Sequence, residues 1–367
     1  MILEELVRFS DFYGKNKDLV LAGGGNTSAK QGDIMYVKAS GIALAGITSE
    51  GFVKMDRARL ADMFTAQYSS QDSEREAQAL DDLMAARMPG EERKRPSVET
   101  TLHALFPQTF VLHLHPSIVN GLTCGRDGET IATELFGDSF VWVNLYKPGY
   151  ILAKLCDGLM KDYTRRTGKA VSILILQNHG IFIAGETVEE LDKLLSEVLG
   201  KLEGRIKRHP DMSLGEGITK DAQAIRLKAA ELYAEDSCAV FDTNKEACRF
   251  AKSIESAAPL LRPFTPDHIV YCKAYPLFIN GIEELAGKFM DYTSEHGYPP
   301  KIIIVQGLGF VAIGKNEKDA LTAQVLFNDA IKVAVCSENF GGPLHMTQEL
   351  IDFIINWEVE AYRQKQN

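Results

Sequence analysis

Four shortages in the sequence each remove a class of protein. No apolar run approaches the roughly 18 residues needed to cross a bilayer; stretches such as 171–176 are among the longest, and mean hydropathy is −0.10. Positive charge is short: 40 Lys plus Arg stand against 50 Asp plus Glu, a net charge of −10. Nucleic acid and anionic membranes both need a basic footprint, so neither is expected as a partner. The six cysteines are scattered without a CxxC pair, which argues against a thiolate zinc site or a disulfide scaffold and for reduced, mostly buried thiols. No GxGxxG and no GK[ST] occurs, so the dinucleotide and P-loop fingerprints are missing. The first residues carry Glu4 and Glu5 where a secretory leader would be basic and then apolar, and a cytoplasmic protein is expected.

What is present is a globular mixture, 45% hydrophobic and 25% charged over 367 residues. At about 150 residues per domain this suggests two domains. Apolar runs at 19–22, 34–38, 110–115 and 172–177 read as strands, each bounded by Gly, Pro or Asn. Amphipathic stretches at 1–13, 97–106, 150–167 and 188–207 read as helices, the last with an apolar stripe at Leu191, Leu194, Leu195, Val198, Leu199 and Leu202. Strands interleaved with helices predict an α/β domain over 1–210. A polar boundary and a helical segment then fill 211–262, and a second, smaller α/β region covers 263–367. Residues 173–185 align without gaps to 302–314 with five identities, and 107–113 can be laid on 266–272. An internal duplication and chance both fit that match.

Chemistry concentrates at few places. His113 and His115 lie two apart at the end of an apolar run, so in a strand both imidazoles project to one side. His179, in Gln-Asn-His-Gly after another such run, can supply a third. Three neutral imidazoles suit Zn²⁺ or another divalent transition metal with one position left open; buried structural histidines are the alternative. The other five histidines, His103 among them, show no such arrangement. Ser97 is placed to cap a helix whose first turn holds Glu99, a dipole partner or a fourth ligand and proton acceptor. Gly23-Gly-Gly-Asn-Thr-Ser28 offers backbone amides and the donors of Asn26, Thr27 and Ser28, either as an anion cradle or as a plain turn. Lys38-Ala-Ser-Gly41 is equally open.

In their order, GGGNTS, KASG, PSVE, HLHP and QNHG resemble the class II aldolase/adducin family over about residues 2–207. The resemblance implies an α/β/α three-layer sandwich around a largely antiparallel sheet, commonly in homo-tetramers with sites at subunit interfaces. It gives His113, His115 and His179 as metal ligands and Glu99 as the acid/base, with Gly25, Asn26, Thr27, Ser40, Gly41 and Ser97 around the substrate phosphate. The implied activity is zinc-dependent retro-aldol cleavage of a keto-sugar or sugar phosphate through a metal-stabilised enediolate, in carbohydrate metabolism. Two departures stand out. Val98 replaces a second serine that many members have before the acidic residue, and Lys38 can compensate for the lost donor. Glu99 is aldolase-like where the 4-epimerase branch has aspartate, yet KASG is closer to the epimerase loop. A sugar-phosphate 4-epimerase and a non-catalytic adducin-like scaffold are therefore the alternatives. Tyr146 is the candidate second proton donor. The region beyond 210 resembles the aldolase part of longer rhamnulose-phosphate aldolase/alcohol dehydrogenase proteins. As a degenerate repeat it would place Cys272, Ala274 and Leu308 opposite the three histidines, leaving no second metal site.

Overall fold

A computed structural model describes residues 2–215, 217 and 219–356. Its contacts divide the described residues into two compact units: those up to Val119 with Glu129–Gly204, and Asn120–Gly128 with the described residues from Arg205 to Asn356. No helix among the described residues is long and apolar enough to cross a membrane. All six cysteines are free, and four of them are buried.

The first unit is built on β1 (Asn26–Gln31), β2 (Ile34–Lys38), β3 (Phe52–Asp56), β4 (Phe110–Leu114), β5 (Val141–Val143), β6 (Ile173–Leu176) and β7 (Gly180–Gly185). They form one sheet in the order β3-β2-β1-β4-β7-β6-β5. Every pairing is antiparallel except β5 with β6. The runs at 34–38, 110–115 and 172–177 do pair as strands, and the central β4 and β7 are buried along their whole length, which is why their sequences are apolar on both faces. Register puts His113 between Asn26 on one side and Phe182 on the other. The helix Val188–Glu203 is capped by Thr187, whose hydroxyl accepts from the Glu190 N–H, and it buries Leu191, Leu195, Val198 and Leu202. Those four belong to the stripe expected from the sequence.

Two local expectations fail. Residues 19–22 form a turn, not a strand, because Ala22 at φ 49° and Gly25 at φ 69° bend the chain there. Leu19 and Val20 are still buried, and the Leu19 carbonyl accepts from the His115 N–H at 3.2 Å. The helix expected from Ser97 starts later, as Thr100–Leu105, because the Ser97 carbonyl and hydroxyl take the N–H groups of Thr100 and Glu99 in a turn. Glu99 is thus the N-cap residue, and its side chain makes no cap bond.

In the second unit β8 (Cys238–Asp242), β9 (Leu277–Ile279), β10 (Ile302–Val305) and β11 (Gly309–Gly314) make a sheet in the order β8-β11-β10-β9. Order and sense match β4-β7-β6-β5, with β9 and β10 parallel as β5 and β6 are. The same 129-residue interval separates β6 from β10 and β7 from β11 at both ends. Two sequence readings need correction. The stretch 211–262, read as linker and helix, also carries β8. Residues Pro266–Cys272 are a helix, not a strand, so 107–113 has no partner there. By register the residue matching His113 is Phe241, since Phe241 pairs with Val311 as His113 pairs with Phe182.

Lys30 on β1 is buried, its Nζ donating to the Gln108 carbonyl at 3.1 Å. Burial brings its pKa from 10.5 down to about 7, with Arg57 adding repulsion and Glu186 opposing. Between those values the unfolded chain holds a proton that the folded chain has lost, so stability rises with pH across that window. Lys30→Met is expected to raise stability at pH 7 by about 2–4 kcal/mol. The gap to wild type should nearly close by about pH 10, where the unfolded lysine also loses its charge; denaturant titrations at both pH values measure this.

Candidate metal centre

His113 is the penultimate residue of β4 and His115 directly follows the strand, so both rings leave the same face of the sheet. His179 lies in the turn from β6 to β7. Glu99, at the helix start before β4, completes the group. Its Oε1 is 3.2 Å from Nε2 of His113 and 3.1 Å from Nε2 of His179. Nε2 of His115 lies 2.9 Å from Nε2 of His113. One ligand atom from each of the four residues falls within 4.8 Å of every other, and among the described residues no second such group exists.

The partners of His113 define its state. Nδ1 is 3.0 Å from the Ile181 carbonyl, which can only accept, so the proton sits on Nδ1 and Nε2 presents a lone pair. Phe182 stacks on the ring at 3.9 Å between centroids and 14° between planes. Burial pushes the His113 pKa down, against the opposing pull of Glu99. Burial alone would raise Glu99, but His113 and His179 outweigh it and hold the carboxyl well below its usual range. Asn26 Nδ2 donates to Oε2 of the same carboxylate and, at 3.0 Å, to Ser97 Oγ. The direction for the pair is a neutral His113 and an ionised Glu99. The Nε2 lone pair of His113 and the Glu99 carboxylate then face each other in a buried space, beside His115 and His179, that could hold a cation. A nitrogen and oxygen donor set of this kind fits a divalent transition metal.

Glycine is required at two positions. Gly25, at φ 69°, comes so close to β4 that a Cβ would lie 3.0 Å from the His113 carbonyl oxygen and 2.7 Å from Val20. At Gly180 a Cβ would lie 2.7 Å from the His115 ring and 2.5 Å from the Leu114 carbonyl. The final glycine of QNHG is therefore the space in which His115 stands.

The anion residues expected from the sequence divide. Asn26 and Ser97 join Glu99 directly. Ser40 donates its N–H to the Arg95 carbonyl at 2.8 Å, and Gly41 turns at φ 79°, which brings their loop beside the segment leading to Ser97. Lys38, buried, donates to the Ile42 carbonyl at 2.6 Å and reaches the Gly23 carbonyl at 3.5 Å, so it bridges the two loops. Thr27 is not part of this group. Adjacent to Asn26 in a strand it faces the other way, where its hydroxyl pairs with Ser10 at 2.7 Å. Tyr146 is 43% exposed and stands outside the four-residue cluster. His103 also stays outside the metal group: its Nδ1 meets Ser28 Oγ at 2.8 Å and its ring packs edge-on against Phe182. Sequence reasoning missed Ile181 and Phe182. The fixed spacing of His179, Ile181 and Phe182 at the start of a strand was the available signal.

The fold and site define an α/β protein with a three-histidine, one-carboxylate centre at a sheet end. Residues 4–198, more than half of the chain, match the class II aldolase and adducin N-terminal domain, and the chain belongs to that family. A curated relative, "Uncharacterized oxidoreductase YuxG" of Bacillus subtilis (strain 168), is 24% identical over 412 aligned positions, 98% of this chain. The chain spans only 58% of that relative's length. Among solved structures, the N-terminal class II aldolase domain of a conserved protein from Thermoplasma acidophilum is 27% identical. It covers 55% of this chain and 92% of its own, with a TM-score of 0.46. An L-fuculose-1-phosphate aldolase from Thermus thermophilus is 15% identical over 55% of this chain and 90% of its own, with a TM-score of 0.34. The family match alone carries the assignment.

If Phe182 and Ile181 orient His113, Phe182→Leu should weaken metal affinity about tenfold without unfolding the protein. Competition against a coloured chelator measures it; unchanged affinity would assign the stack to packing alone.

Proposed function

We propose that the protein is a metal-dependent aldolase that reversibly cleaves a carbon–carbon bond in a keto-sugar, with a phosphorylated substrate favoured. The reading is carried by one observation: Glu99 has one carboxylate oxygen against two imidazoles and the other held by Asn26, where the metal donors meet the glycine loop. His113, His115 and His179 would hold the ion, taken here as Zn²⁺. When bound it supplies Lewis acidity toward the negative charge that develops on the ketone and hydroxyl oxygens. Glu99, kept ionised, exchanges the proton at the carbon next to the ketone, which requires contact within about 3 Å or through one water. Asn26, Ser97 and the loop amides near Gly25, Ser40 and Gly41 orient the distal anion, so the reacting end is presented in one pose. Lys38 holds the two loops together through the Ile42 and Gly23 carbonyls.

A sugar-phosphate 4-epimerase is the second reading, favoured by the buried Lys38 of the KASG loop. The intact donor set supports an enzyme over an adducin-like scaffold. The Bacillus relative is named an oxidoreductase and extends well beyond the matched region; with no dinucleotide fingerprint here, we assign this chain lyase chemistry. The second unit reads as a degenerate copy, with Phe241, Thr243 and Leu308 where the first has His113, His115 and His179. Homo-tetrameric assembly and a role in carbohydrate metabolism are proposed from the resemblance, and a cytoplasmic location from the acidic Glu4 and Glu5.

Metal analysis should return about one ion per chain, and retro-aldol activity should emerge from a screen of keto-pentose and keto-hexose phosphates. Chelation is expected to abolish turnover, and borohydride with substrate to leave it intact, since no lysine Schiff base is involved. Glu99→Gln should cut turnover by about 10²–10⁴ while metal content persists. Activity that survives complete metal removal would overturn the mechanism.

A further inference from the structure

A cleft of about 540 Å³ opens in the first unit, at the end of β6 remote from His179. Its volume falls within the range of about 300–1,000 Å³ typical of small-molecule sites. Ile173, the first residue of β6, forms an apolar wall with Phe136 and with Leu194 and Val198 of the helix Val188–Glu203. None of the residues that line the cleft belongs to the metal group.

Two hydroxyl-bearing residues in this lining have a proton to give and no acceptor for it. Gln108, only 7% exposed, fixes Ser172: its Nε2 donates to the Val171 carbonyl at 2.9 Å and to Ser172 Oγ at 3.2 Å. A carbonyl can only accept, so the amide nitrogen is the atom that faces both, and the Ser172 hydroxyl hydrogen is left over. Tyr163 is 6% exposed, and among the described residues its hydroxyl makes no hydrogen bond. A buried phenol normally has a partner.

Lys169 and Lys201 also line the cleft. Lys201 Nζ donates to the Leu135 carbonyl at 2.8 Å and lies 5.4 Å from the centroid of the Phe136 ring, whose face attracts a cation and holds the ammonium beside the apolar wall. Among the described residues neither lysine pairs with a carboxylate. The acidic lining residues are Glu197 and Asp138, and Asp138 is already held by Arg166 at 2.6 Å. Two ammonium groups against one uncommitted carboxylate leave a formal surplus of one positive charge.

We propose that this cleft binds a small organic monoanion, a carboxylate carried on a flat apolar body, at a site separate from the metal centre. The Ser172 and Tyr163 hydroxyls and the Lys201 ammonium supply the donors that its oxygens need, and the wall of Phe136, Ile173, Leu194 and Val198 covers the body. A phosphate dianion would exceed the available charge. A purely apolar ligand would bury both hydroxyls without acceptors, which is costly.

Fluorine NMR of para-fluorobenzoate titrated with the intact protein tests this. The resonance should broaden with millimolar probe, and para-fluorotoluene, neutral and of similar shape, should bind about tenfold more weakly. Lys169→Glu combined with Lys201→Glu, both at exposed positions, should weaken benzoate binding about tenfold, because the surplus charge is reversed. Ser172→Ala should weaken it several-fold while circular dichroism shows the fold intact. No broadening, equal affinity for the neutral probe, no loss in Ser172→Ala, or full affinity in the double-lysine variant would overturn the proposal, the last by placing the probe at the metal centre or elsewhere.

Discussion

The Ile181 carbonyl determines which nitrogen of His113 is protonated, and the centre depends on that choice. With the proton on Nδ1, the Nε2 lone pair is turned toward Glu99, His115 and His179. The opposite tautomer would point an N–H into the cluster and leave a buried carbonyl without its donor, a cost of about 1–3 kcal/mol. This hydrogen bond exists because β4 and β7 are antiparallel neighbours with Leu114 opposite Ile181. Sheet register and ligand chemistry are thus one constraint.

The second carboxylate oxygen belongs to a different part of the chain. Asn26 lies opposite His113 in register, and its amide joins Glu99 to Ser97. Backbone bonds join the KASG loop to the PSVE turn, and the side chains of Lys38 and Asn26 tie the glycine turn to them. Neighbouring strands β1 and β4 therefore carry Asn26 and His113 to the two sides of the Glu99 carboxylate.

Much of this is legible without the structure. The two-residue spacing of His113 and His115 needs only the pleat of a strand to align them, and the three histidines do come together. Thr27 escapes the motif because three adjacent donors do not make one surface: successive strand residues face opposite ways. The early bend at 19–22 is hidden because Leu19 and Val20 are buried without belonging to a strand. Pro266–Cys272 is illegible for a related reason: a short apolar run does not distinguish a buried helix from a strand. Ile181 acts through its backbone, which its side-chain type does not reveal.

A strand held by neighbours on both sides has little freedom to change length. β4 lies between β1 and β7, pinned by pairings along each edge. Deleting one residue from it would rotate every later side chain through half a turn, sending both imidazoles to the opposite face and bringing leucines forward. Evolution can thus vary the loops around this centre by insertion and deletion, while the stretch from Phe110 to His115 can change only by substitution.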